Sequence, residues 1–154
     1  MKLFFTLLIA IFFSASAIAA DNLNLSRRGI AVDGYDLVSY HQSDPKEGNK
    51  NISYDYMDAT YYFSSQENMT LFQTEPEKYL PEYGGFCAYA MLEGDKVNID
   101  PESYKVVNGK LYLFYNGLFG NTLEKWNDLT VESQETTLID TADQHWQAVL
   151  SNSD

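Results

Sequence analysis

The chain has 154 residues, with 22 acidic side chains against 10 basic ones and a formal net charge of −12. That balance excludes nucleic acid as a partner, because Lys and Arg must replace the counterions around phosphates, and it disfavours docking on anionic lipid. The length suits one domain able to bury a core without disulfides. An aromatic share of 15%, with 12 Tyr, sets the sequence apart from a disordered acidic tail.

Residues 1–19 read as a signal peptide. Lys2 gives the positive start, Leu3 to Phe13 is apolar apart from Thr6, and Ala17-Ile18-Ala19 has the small-residue form that a signal peptidase cuts. The apolar run is about half of the ~20 residues a membrane-spanning helix needs. No stable membrane anchor is therefore expected after cleavage, and the mature chain is expected in the periplasm or secreted. Export makes the cysteine count informative, since Cys87 has no partner in the chain. It is a buried thiol, a metal or redox ligand, or half of an intermolecular disulfide.

Residues 20–30 are polar and aperiodic and read as a mobile lead-in to a single domain over 31–150. Ala31 to His41 reads as a turn followed by a short apolar stretch, and Ser43 to Asn51 as a loop carrying Asp44-Pro45 and Gly48. Ile52 to Tyr56 alternates apolar and polar, and Thr60 to Phe63 is rich in β-formers, so the two predict a hairpin. Ser64-Ser65-Gln66-Glu67 predicts a capping box, with Ser64 as N-cap of a helix to about Gln73 that buries Met69 and Phe72. Pro76 predicts the first turn of a short helix ending near Leu80.

Tyr83 to Met91, opened by Gly84-Gly85, is compatible with a helix or a buried strand. Asn108-Gly109 between two β-rich runs is a strong hairpin signal, because both turn positions need positive φ. Helices are predicted around Leu118 to Trp126 and from about Ser133 to Leu150, the latter with Leu138, Ala142, Trp146 and Val149 at helical spacing. The predicted fold class is α+β: a small antiparallel sheet built from hairpins, flanked by short helices and a C-terminal helix.

The sequence contains no nucleotide-binding glycine loop, G-x-S-x-G, H-E-x-x-H or paired C-x-x-C, so no known catalytic motif marks it, and a non-enzymatic role is favoured. The soft or borderline metal donors are His41, Cys87, Met91 and His145. Cys87 and Met91 lie four apart, which a helix would bring to one face. With His41 they form a donor set suited to cuprous copper, although Met91 at that spacing also suits core filling. A reactive thiol at Cys87 would need a nearby cation or a helix N-terminus, and no Lys or Arg lies within eight residues. The tyrosines offer a third possibility, a pocket for a small ligand or a protein partner, with Tyr40, Tyr83 and Tyr89 as candidates beside the donor residues. They also suit the core of a small sheet.

Gly34-Tyr35-Asp36-Leu37-Val38-Ser39-Tyr40-His41, Tyr62-Phe63-Ser64-Ser65, Pro76-Glu77-Lys78-Tyr79 and Tyr83-Gly84-Gly85-Phe86-Cys87-Ala88-Tyr89-Ala90 occur in this order. Together with Asn108-Gly109-Lys110-Leu111-Tyr112-Leu113, Lys125-Trp126 and Trp146, they resemble the YHS-domain family, in its exported, signal-bearing subgroup. YHS domains of copper-exporting ATPases look like heavy-metal modules with three cysteines. The corresponding positions here are Ser39, Ser64 and Asn68, so the resemblance does not carry that site over. The resemblance implies the fold; on the donor residues themselves, a non-enzymatic metal-binding module, with copper as the candidate metal, is expected at Cys87, His41 and Met91, with a Tyr-rich ligand or interaction module as the alternative.

Overall fold

The computed structural model describes residues 20–153; the signal peptide expected over 1–19 lies outside them. Three antiparallel hairpins organise the chain: β1 (Asn49–Tyr56) with β2 (Ala59–Phe63), β3 (Asp100–Val107) with β4 (Lys110–Phe114), and a minimal pair, β5 (Asn116–Gly117) with β6 (Gly120–Asn121). Helices α1 (Leu37–His41), α2 (Gln66–Thr74), α3 (Pro76–Tyr79) and α4 (Ala88–Met91) are short. Helices α5 (Thr122–Glu132) and α6 (Glu135–Ser151) are longer and close the described chain. This is the α+β arrangement of hairpins, short helices and a C-terminal helix that the patterning predicts. Among the described residues no helix is long and apolar enough to cross a membrane.

The turns follow their chemistry. Asn108 and Gly109 sit at φ 51° and 78°, the left-handed pair that a two-residue hairpin requires. Met57 and Asp58 make the equivalent turn at 46° and 62° without a glycine. The cap of α2 falls one residue later than the sequence pattern suggests: Ser65, not Ser64, accepts from the Asn68 amide. Ser64 is drawn away because both its amide and its hydroxyl donate to the buried Asp36 carboxylate. The helix predicted from Leu118 begins only at Thr122, because Asn116 to Asn121 folds back as the β5–β6 pair. Asn121 then caps α5 by accepting from the Leu123 and Glu124 amides.

Two aromatic-rich clusters form the core, one on either face of β4. Leu111 and Leu113 pack with Val38, Tyr40, Phe63 and Phe72, whereas Tyr112 and Phe114 pack with Met91, Trp126, Ala142 and Trp146. The strand alternation that sends successive side chains to opposite faces thus joins the two halves.

The segment 20–30, expected as a mobile lead-in, is instead docked. The Asn24 amide donates to the Gly84 carbonyl at 2.8 Å, its side-chain amide donates to the Gly85 carbonyl at 3.0 Å, and Leu25 bridges Ala31. Asn22 is buried and accepts from Lys96 and Ser153. Polarity in this stretch serves hydrogen bonding to distant backbone, which a periodicity search does not detect.

Candidate functional site

The positions that the resemblance assigns to metal-binding cysteines do converge in space, but on a carboxylate. Asp36 is fully buried and N-caps α1 by accepting from the Val38 amide at 2.9 Å. Its other oxygen accepts from the Ser64 amide at 2.9 Å, the Ser64 hydroxyl at 2.6 Å and the Asn68 side-chain amide at 2.7 Å. Ser39 donates its hydroxyl to the Asp36 carbonyl and accepts from the Lys46 amide. Four donors satisfy the buried Asp36 carboxyl oxygens, and Ser39, Ser64 and Asn68 are all committed to this hub. The set does not fit a metal. Among the described residues no group of three His, Cys, Asp or Glu side chains is placed to hold one.

Cys87 is fully buried as the N-cap of α4. Its sulfur lies 3.3 Å from the Thr122 hydroxyl and 3.4 Å from the Tyr115 amide. The Thr122 hydroxyl spends its one proton on the Tyr115 carbonyl at 2.8 Å, so the thiol must donate to Thr122 while the Tyr115 amide donates to sulfur. This closed ring joins α4, the end of β4 and the start of α5 through the Cys87 sulfur. Met91 is sealed in the core with Trp126 and Trp146. His41, at the end of α1, packs edge-on against Tyr79 with ring centroids 5.2 Å apart, and its Nε2 is buried without a hydrogen-bond partner. Burial lowers its pKa below the ordinary value of 6.5, and Lys78 adds to the shift. Of the three residues expected to share a metal, Cys87 and Met91 are thus engaged elsewhere, whereas the His41 Nε2 has no hydrogen-bond partner.

The three candidate tyrosines also separate. Tyr40 is fully buried and donates to the Pro101 carbonyl at 2.6 Å, so its role is core packing. Tyr89 is partly exposed on α4, with the Lys125 ammonium 6.0 Å from its ring centre. Tyr83 alone reaches a cavity. It lines a cleft of about 190 Å³ together with Leu23 and Leu25 from the docked N-terminal segment, Tyr61 on β2, Leu80 and Trp146.

The floor of this cleft is an unusual piece of backbone. Tyr83 and Gly84 are consecutive left-handed residues, at φ 57° and 60°. The left-handed region is costly for a bulky L-residue and tends to persist where a site needs it. Tyr83 is held there by donating to Asp143 at 2.9 Å and by packing on Trp146 and Tyr112. At Gly84 a Cβ would lie 2.0 Å from the Asn22 carbonyl oxygen, so only glycine admits the strap formed by the N-terminal segment. Burial pushes the Tyr61 phenol up to about 12, with Tyr56 and Glu77 contributing. Burial, then the Asp143 carboxylate, raises Tyr83 further. Both phenols therefore remain protonated donors at neutral pH.

Two carboxylates also line the cleft, Glu77 and Glu82, and no Lys, Arg or His does. Glu77 accepts from the Tyr56 hydroxyl at 2.9 Å. Glu82 is largely shielded, and this burial raises its pKa against the opposing effect of Lys110, whose ammonium lies 3.3 Å away. The sequence reading reaches Tyr83 through the tyrosine excess. Tyr61 belongs to the same tyrosines read as possible pocket lining, whereas Leu23, Leu25, Glu82 and Trp146 escape it as site residues, because they come from distant parts of the chain and carry no shared motif.

The YHS domain family model matches residues 43–83, which supports the YHS family for the part of the chain from the loop before β1 to the floor of the cleft. No curated protein and no solved structure matches the chain.

Proposed function

We propose that this protein is an exported, non-enzymatic YHS-domain binding module that holds a small, mostly apolar ligand in the Leu23–Tyr83–Trp146 cleft. The observation that carries this reading is the strained Tyr83–Gly84 turn, strapped by Asn24 and open to an aromatic-lined cavity. Small-molecule sites are concave and mainly apolar, with a few placed polar groups, and this cleft has that composition, its volume of about 190 Å³ falling below the roughly 300–1,000 Å³ of drug-sized sites. Export rests on the signal-peptide pattern of residues 1–19. A cuprous site at Cys87, His41 and Met91 is the weaker reading, because the thiol is committed to Thr122 and Tyr115, and Met91 is committed to the core.

Titration of the ¹⁵N-labelled mature protein with 2-phenylethanol tests the cleft. Saturable shifts confined to the amides of Leu23–Leu25, Leu80, Glu82–Gly84 and the Trp146 indole are expected. Shifts scattered over the surface, or shifts that rise linearly without saturation, would remove the reading.

A further inference from the structure

We infer that the cleft selects a small organic cation, an ammonium group carried on a single ring or short apolar chain. This inference rests on the cleft being a ligand site and adds the charge of what it holds. Three aromatic rings, Tyr61, Tyr83 and Trp146, share the lining with two carboxylates, Glu77 and Glu82, and with no basic side chain. Aromatic faces attract cations through their quadrupole, more strongly when water is excluded. A carboxylate in partly dry surroundings adds an attraction that bulk water would screen.

Hydrogen bonding sharpens the preference. Tyr83 donates its only phenolic proton to Asp143, so the lone pairs of its oxygen remain available. The Gly84 and Gly85 carbonyls are already taken by Asn24. An anionic ligand would meet no basic side chain in the lining, which includes Glu77 and Glu82. A neutral ligand would gain the apolar contacts alone.

Lys110 tunes the site from outside. It pairs with Glu82 across 3.3 Å, is half exposed on β4 and does not line the cleft. Its ammonium therefore competes for the carboxylate that a bound cation would use. Removing Lys110 should strengthen cation binding, an outcome that a merely structural role for Glu82 would not give. The cavity of about 190 Å³ limits the ligand to roughly the size of a phenylalkyl amine.

The test compares three probes of one shape, 2-phenylethylammonium, 2-phenylethanol and phenylacetate, by NMR titration of the mature protein at low ionic strength. The expected order is ammonium about tenfold tighter than the alcohol, with the acid weakest. Glu82→Gln should erase the ammonium advantage over the alcohol, and Lys110→Gln should increase it. Equal binding of ammonium and alcohol, with both localised to the cleft, would overturn the charge inference and leave the cleft reading standing. No localised binding by any probe would overturn both. An ammonium advantage that survives Glu82→Gln and Glu77→Gln together would also overturn the assignment to these carboxylates.

Discussion

Replacing Gly84 by Ala tests the strap that forms one wall of the cleft. The new Cβ would meet the Asn22 carbonyl oxygen at 2.0 Å, an overlap with backbone that no rotamer change relieves, while the residue keeps a φ of 60°. The left-handed conformation alone costs about 1–2 kcal/mol for a non-glycine residue. Pushing the strap away also breaks the Asn24 bonds to the Gly84 and Gly85 carbonyls, each worth about 1 kcal/mol net. The total is about 3–4 kcal/mol. Gly109→Ala provides the control, because its φ is 78° but nothing lies within 4 Å of its Cβ, so it incurs only the conformational cost. Urea denaturation followed by circular dichroism should separate the two variants by about 2 kcal/mol, with Gly84→Ala the less stable. Equal destabilisation of both would refute the claim that Asn22–Leu25 is clamped by close packing over Gly84.

Asp36→Ala should destabilise by about 4 kcal/mol or more, since four donors lose their acceptor in a buried site, and added chelator should leave the melting temperature of the wild type unchanged; a chelator-dependent drop would show that metal contributes to this hub. Cys87 should react slowly with iodoacetamide until denaturant is added, and Cys87→Ala should leave Cu(I) affinity unaltered while costing about 1–2 kcal/mol for two lost hydrogen bonds; fast labelling of the folded protein would contradict the closed ring. His41 gives a pH dependence whose sign follows from its lowered folded pKa. Its unfolded form takes up a proton first, so its contribution is fully present above the ordinary value of 6.5 and is lost as pH falls from there through the folded pKa. His41→Gln should therefore show a shallower loss of stability over that acid window, and identical pH profiles for the two proteins would refute the assignment.

Much of the local structure was legible in the residues. The Asn108-Gly109 turn and the Leu138–Ala142–Trp146 stripe are short-range signals, and both elements form where the pattern places them. The cap of α2 shifted by one residue because a buried carboxylate 28 positions upstream competes for Ser64. The lead-in escaped recognition because its anchors are carbonyls some 60 residues away. The candidate site was legible only in its tyrosines, Tyr61 and Tyr83. Its remaining walls are assembled by tertiary contact, and the Cys87–Met91 spacing that suggests ligation instead sets a thiol bonded to Thr122 and Tyr115 before a core methionine.

The two-faced character of β4 bears on what could be cut from this chain and still fold. Of the twelve buried residues in the first cluster, only Ala59, Tyr61, Phe63, Phe72 and Tyr79 fall within the matched span 43–83. The other seven come from residues 31–40 and from Leu111 and Leu113. An excised 43–83 fragment would expose those five side chains to water, and an excision that kept Leu111 and Leu113 would bring Tyr112 and Phe114 without their own partners. The span recognised as a family unit is thus smaller than the smallest autonomously folding piece, and a truncation series should lose cooperative melting well before it reaches the family boundary.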